Sequence, residues 1–200
     1  KLGINNDSHV IIYSMDGIGT SPRAWWLFRL YKHKNVSVLN GGMKAWKAIN
    51  GPISNKITKI YKSNYMASID HNILAKYEDI KNLYNNKDYQ IVDARSFGRF
   101  AGKEEEPRPG LQKGHIPYSI NIPFNLLIND HGYLIDKDEI IKILNKYNFS
   151  FEKIIISSCG SGVTACVLAF VLELIGKKNW KVYDGSWSEW GKKGNELIEL

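Results

Sequence analysis

Short apolar runs rich in β-branched residues recur along this chain, each followed by a turn and then by apolar residues at helical spacing. Val10-Ile11-Ile12-Tyr13 is the first and reads as a short buried strand. A glycine-containing loop from Met15 to Thr20 leads to Ser21-Pro22, which reads as a helix N-cap with a proline in the first turn. The helix predicted from Arg23 to His33 carries Trp25, Trp26, Phe28 and Leu30. A strand at Val36–Leu39, a Gly41-Gly42 turn and a short helix ending near Lys47 complete this group. Residues 51–68 are mixed and polar, and read as a linker.

After the linker the pattern restarts. Ala75–Asn85 suits an amphipathic helix and Tyr89–Ala94 a strand. Arg95 to Gly114 is a long polar stretch rich in glycine, proline and charge; a structureless segment of that length inside a domain is usually functional. Gly114-His115-Ile116-Pro117 leads to a short strand at Ser119–Asn121, and Lys137–Tyr147 reads as a helix with Asp136 as its N-cap. Ile154-Ile155-Ile156 has the continuous apolar character of a strand buried on both faces, and Ala165–Leu174 is nearly all apolar, as a buried helix is. A strand at Lys181–Tyr183 and a helix entered through Asp184-Gly185-Ser186-Trp187 end the chain. Strands alternating with helices predict an α/β fold with mainly parallel sheets.

An internal repeat refines this. Sliding the chain by 144 residues matches Ile11-Ile12 with Ile155-Ile156, Leu30 with Leu174, Lys34-Asn35 with Lys178-Asn179, Gly41 with Gly185 and Trp46 with Trp190. Residues 1–52 therefore read as the C-terminal half of a domain, 53–67 as a linker, and 68–200 as a complete second copy. The shift puts Met15, or Asp16 with a one-residue slip, where the second copy has Cys159. The chain opens on Lys with no signal-peptide pattern, so it reads as a piece whose first half-domain is missing.

Composition removes several function classes. The longest apolar run is too short to span a bilayer, so no membrane partner is expected. Two cysteines are too few for a secreted disulfide framework, which points to a reducing compartment, cytoplasmic or mitochondrial. The net charge of +7 comes from dispersed lysines without an aromatic-interleaved basic stripe, so it predicts attraction for small anions and no nucleic acid. No cofactor motif or metal-ligand spacing is present.

The chemistry concentrates at Cys159. It ends a buried strand, Gly160, Ser161 and Gly162 follow it, and a helix starts just beyond. Backbone N–H groups converge on negative charge at such a place and favour the thiolate. A cysteine phosphatase would need an arginine six residues on to hold phosphate, and that position is Ala165. Cys166 lies inside the apolar helix and reads as core. Arg95, Arg99 and Arg108 in the long polar stretch offer guanidinium forks for a carboxylate, while Asp93 can anchor Arg95 or the loop. Ser161 can pass a proton, hold a substrate oxygen or cap the following helix, and His115 can serve as a structural hydrogen-bonder or in catalysis.

Cys159-Gly160-Ser161-Gly162-Val163-Thr164-Ala165 resembles the active-site loop of 3-mercaptopyruvate sulfurtransferases, in the two-domain rhodanese superfamily. Ser21–Trp26 and Gly41–Trp46 are similar to that family's inactive first domain. Val92–Arg95, Gly98–Phe100, Glu106–Arg108, Gly114–Pro117 and Asp184–Trp190 resemble its second. The resemblance implies tandem rhodanese-like domains, the first incomplete here, and a persulfide carried on Cys159 without a cofactor. It implies 3-mercaptopyruvate as donor, or thiosulfate, and thioredoxin, another thiol or cyanide as acceptor. Arg99 and Arg108 then clamp the donor; Gly160, Gly162, Val163 and Thr164 line the anion, and Ser161 belongs to a proton relay. Thiosulfate enzymes of the superfamily carry basic residues after the cysteine, whereas Gly160 and Ser161 stand there in this chain. The family's relay also uses a His and an Asp from the first half-domain, which would precede Lys1.

Overall fold

The computed structural model describes residues 2–200, and its strands form two sheets, each parallel throughout. The smaller sheet pairs β1 (Val10–Ile12) with β2 (Val36–Val38). α1 (Ser21–Leu30) crosses between these strands, and α2 (Gly42–Ala48) follows them. The larger sheet contains β3 (Leu74–Ala75), β4 (Tyr89–Asp93), β5 (Ile120–Asn121), β6 (Ile154–Ser158) and β7 (Trp180–Tyr183). Their order across the sheet is β3-β7-β6-β4-β5. α3 (Tyr77–Leu83), α4 (Phe97–Phe100), α5 (Lys137–Lys146), α6 (Ala165–Leu174) and α7 (Ser186–Trp190) belong to this half. The predicted parallel α/β architecture is the one observed.

Strand geometry sends successive side chains to opposite faces, and the core follows that rule. On one face Val92, Ile155, Trp180 and Val182 pack with Ile140 and Leu144 of α5 and with α6. On the other, Ile91, Ile156 and Tyr183 pack with Ile80 of α3 and with Trp187 and Trp190 of α7. Both faces are covered, so the central strands can be apolar throughout.

α6 is buried along eight successive residues, Ala165–Leu172, because it lies between two partners. One side meets the larger sheet; the other meets α1, whose Trp25 ring sits 4.9 Å from Phe170 and 5.8 Å from Trp180. A single apolar cluster therefore runs from Ile18, Trp25, Trp26 and Leu30 through α6 into the larger sheet. A helix apolar all round is what such a sandwiched position requires.

Several elements differ from the sequence reading. β1 is only half-buried: Ile11 is 59% exposed, as is Tyr13 just after it at 53%, because no other described strand or helix covers that face of the two-stranded sheet. Thr20, not Ser21, is the α1 N-cap, and the Ser21 hydroxyl instead hydrogen-bonds Ser14 Oγ at 2.8 Å. The helix expected over 75–85 starts at Tyr77, since Leu74-Ala75 pair with β7 as an edge strand. The 95–114 stretch is not structureless: Ser96 caps the single-turn α4 by accepting from Arg99 N. Asp136 does cap α5, accepting from Glu139 N at 2.9 Å.

The strand registers also correct the repeat. Val38 and Val182 correspond, but Val38 pairs with Ile12 whereas Val182 pairs with Ser157. β1 therefore matches β6 one residue later than the ungapped shift implied. Ser14, neither Met15 nor Asp16, occupies the place of Cys159. Hydrogen bonds agree: Met43 N donates to Ser14 O at 2.8 Å, as Trp187 N donates to Cys159 O at 2.9 Å.

Candidate active site

The chain leaves β4 towards β5 on one side and leaves β6 towards β7 on the other. The crevice at the carboxyl ends of β4 and β6 is thus a topological switch point, where open α/β sheets place ligands. The arginine-bearing 95–114 loop follows β4, and the Cys159 loop follows β6.

Cys159 is 1% exposed. Its N–H donates to Ser186 Oγ at 3.2 Å, and that hydroxyl donates to Tyr183 O at 2.8 Å and lies 3.9 Å from Cys159 Sγ. Ser186 sits at a φ of 49°, a left-handed position it shares with its repeat counterpart Gly42 at 60°. After Cys159, none of the six backbone N–H groups from Gly160 to Ala165 donates to a protein acceptor among the described residues. Such a run at a helix start is an anion cradle. The Ser161 and Thr164 hydroxyls also make no protein hydrogen bond among the described residues, so Ser161 does not cap α6, whose N-cap is Thr164.

The loop is held open from behind. Gly162, at a φ of 75°, turns its carbonyl outward, where it accepts from Cys166 Sγ at 3.1 Å and from Arg23 Nη1 at 3.2 Å. Arg23 also pairs with Asp184 at 2.5 Å and lies 4.8 Å over the Trp26 ring. Burial opposes the Arg23 charge, but the hydrogen bond and charge of Asp184 outweigh it and raise its pKa. Burial likewise pushes the Cys166 thiol up to about 12, against the pull of Arg23, so Cys166 is a neutral core group.

The arginines divide. Arg95, one of the three candidate arginines, is anchored by Asp93 as the alternative reading has it: fully buried, it binds Asp93 at 2.7 Å, Glu106 at 2.8 Å and Gly114 O at 2.8 Å, and stacks 4.3 Å over Trp187. Arg99 shares Glu106, at 2.5 Å, and is pressed on the cysteine loop. A Cβ placed on Gly160 would lie 2.8 Å from Arg99 Nη2, so the glycine is what lets the guanidinium approach. Arg108 is exposed and has no ion pair among the described residues. His115 is structural: Nδ1 donates to Phe100 O at 2.9 Å, and the ring stacks on Phe100 at 3.8 Å. No cluster of three or more His, Cys, Asp or Glu side chains suited to a metal occurs among the described residues.

Three parts of this site have no role in the sequence reading. Glu106 and Ser186 lie inside family-like motifs, and the only sequence signal for Ser186 is the glycine, Gly42, at its repeat position. Arg23 reaches Gly162 from 139 residues away and had none.

The rhodanese-like domain model matches residues 1–49 and 76–193, which include both halves of this arrangement. The chain belongs to the rhodanese-like family. It is 39% identical over 192 residues to human 3-mercaptopyruvate sulfurtransferase, covering 95% of this chain and 65% of that protein. It is 38% identical to the thiosulfate sulfurtransferase of Gallus gallus, covering 95% of this chain and 66% of the relative. The crystal structure of SseA from Escherichia coli, described as a 3-mercaptopyruvate sulfotransferase, superposes with a TM-score of 0.82 at 34% identity over 94% of this chain and 70% of that one. The chain thus spans about two thirds of the length of its rhodanese relatives. Among the described residues no helix is long and apolar enough to cross a membrane.

Proposed function

We propose that this chain carries the catalytic half of a sulfurtransferase that moves the sulfur of 3-mercaptopyruvate to a thiol or cyanide through a Cys159 persulfide. The observation that supports this reading most is the run of six unclaimed N–H groups, Gly160–Ala165, beside a buried nucleophilic cysteine. In the first step the Cys159 thiolate attacks the donor's sulfur. The S–S bond forms as the C–S bond breaks, and the electron pair leaves as pyruvate enolate, which takes up the donor's thiol proton to give pyruvate. Ser161, whose hydroxyl is unengaged, passes that proton. The cradle, including the amides of Gly160, Gly162, Val163 and Thr164, holds the terminal persulfide anion at the α6 N-terminus. Arg99 and Arg108 hold the donor's carboxylate. In the second step an acceptor thiolate, such as that of thioredoxin, or cyanide attacks the outer sulfur and Cys159 is released as thiolate. On this reading residues 68–200 are the catalytic domain, 1–52 the C-terminal half of an inactive one, and 53–67 their linker. The reducing setting the persulfide needs fits the cytoplasm or the mitochondrion.

Thiosulfate as donor is the second reading, favoured by the Gallus gallus relative. Gly160 speaks against it, because a side chain there would displace Arg99 while its absence leaves no added cation for a dianion. Intact mass after incubation with each donor tests both. Addition of one sulfur atom to Cys159 is expected from mercaptopyruvate in preference to thiosulfate; equal labelling would reverse the ranking, and none from either would remove the assignment.

A further inference from the structure

Residues 191–199 lie along residues 111–118 and meet them at two separate, locally antiparallel bridges, Leu111–Lys192 and His115–Glu199. Gln112 is the fastening point. Its N–H donates to Gly191 O at 2.7 Å, and its side-chain amide donates to Lys192 O at 3.0 Å and Asn195 O at 2.9 Å. Its own carbonyl accepts from Trp187 Nε1 at 2.9 Å. Two residues on, Gly114 O accepts from Arg95, which grips Glu106, and Glu106 grips Arg99. Hydrogen bonds, joined by the backbone between Gln112 and Gly114, thus connect the C-terminal segment to the guanidinium beside Gly160.

We propose that this C-terminal strap, fastened through Gln112, positions the arginine loop, and that Gln112 sets where Arg99 and Arg108 meet a donor's carboxylate. The inference rests on the sulfurtransferase reading. The 95–114 loop carries both arginines but only one turn of helix; Glu106 ties its middle to Arg95 and Arg99, and its place on the domain is set by anchors at its two ends. The β4 end is held by Asp93; the far end is held by the strap. Gln112 itself touches neither Cys159 nor any arginine. It acts through the backbone, and a small displacement of a clamping group weakens donor binding before it slows the chemistry.

Gln112→Glu keeps size and shape but removes both side-chain donors. In single-turnover persulfide formation it is expected to raise the half-saturating mercaptopyruvate concentration about tenfold, with the saturating rate within about twofold of the parent. Glu199→Ala, at an exposed position that reaches Tyr118 N at 3.1 Å, is expected to raise it about threefold and serves if Gln112→Glu does not fold. Amide exchange over residues 97–108 is expected to quicken about fivefold in either variant, a readout independent of turnover. A lowered melting temperature with half-saturation and exchange unchanged in the folded variants overturns the inference. Should the parent accept sulfur from no donor, the sulfurtransferase reading fails instead, and the exchange comparison alone decides whether the strap orders the loop.

Discussion

The two strand-ending loops of this chain start from the same plan and differ in length, in the residue that follows the strand and in one amide. After β6, Cys159 is followed by five residues before α6 begins at Ala165; after β1, Ser14 is followed by six before α1 begins at Ser21. The extra residue lets the first loop fold in on itself. Ser14 Oγ donates to Gly17 O at 2.5 Å, the 1%-exposed Ile18 fills the space beneath, and Ile18 N donates to Gly132 O at 3.0 Å. A carbonyl from elsewhere in the chain occupies one of the amides an anion would need. In the second loop all six amides from Gly160 to Ala165 are unclaimed among the described residues, and the Gly162 carbonyl turns out to Arg23, a residue of the first half. The first copy thus contributes a side chain to the loop of the second.

The largest contrast lies in the nucleophile. Cys159→Ser is expected to lower persulfide formation by roughly 10⁴-fold or more, as loss of a nucleophile does. Placing a thiol in the first loop by Ser14→Cys in that background should not restore it; sulfur uptake at position 14, read by peptide mass, would break the comparison. Next is the clamp. Arg99→Ala and Arg108→Ala should each cost about 10–100-fold in kcat/KM, in line with charged hydrogen bonds of about 1.5–3 kcal/mol. Arg108→Ala, having no protein partner to orphan, should leave the melting temperature unchanged, and a clear fall there would contradict its unengaged state.

A smaller effect is expected at Gly162. Gly162→Ala combines a left-handed φ with a Cβ 2.6 Å from Asp184 O and should destabilise by about 1–3 kcal/mol in denaturant unfolding. Arg23→Ala removes the brace from the first half. Both partners are partly exposed, so solvent screening limits the stability change to about 1 kcal/mol, while persulfide formation should fall several-fold. Equal activity would mean that the second loop stays open unaided.

The smallest effect concerns pH. Cys166 is raised from 9.0 to about 12 in the folded state by burial, so the folded protein holds this proton while the unfolded chain releases it. Its contribution to stability is complete below about pH 9 and is lost as pH rises towards 12. Cys166→Val should therefore show a shallower fall in stability across that interval than the parent. Parallel stability curves would remove the assignment of Cys166 as a buried neutral thiol.

The long, strongly patterned elements were legible in the sequence because their environment is simple. α6 was read over the same residues it occupies, since a helix covered on both sides must be apolar throughout. β6 is legible because a strand covered on both faces is apolar through Ile154–Ile156, whereas β4 and β7 show shorter apolar runs interrupted by Gln90 and Lys181. The cysteine loop was legible because glycine and serine beside a strand-end cysteine have little other use. β1 misled for the same reason: its apolar run promised burial, but burial depends on neighbours that a two-stranded sheet does not supply. Arg95 stays open between a substrate group and a partner of Asp93 in the sequence, because an arginine in a polar loop looks alike whether it faces solvent or Asp93.

Local periodicity and residue chemistry are enough to establish the parallel α/β plan, the repeat and the cysteine at a strand's carboxyl end. Long-range packing settles which arginine is buried in structure, which residue stands in for Cys159 in the other copy, and which loop amides and carbonyls have partners. Those depend on hydrogen bonds between groups far apart in the chain, such as Arg23 with Gly162 and Ile18 with Gly132. No local pattern records a partner more than a hundred residues away.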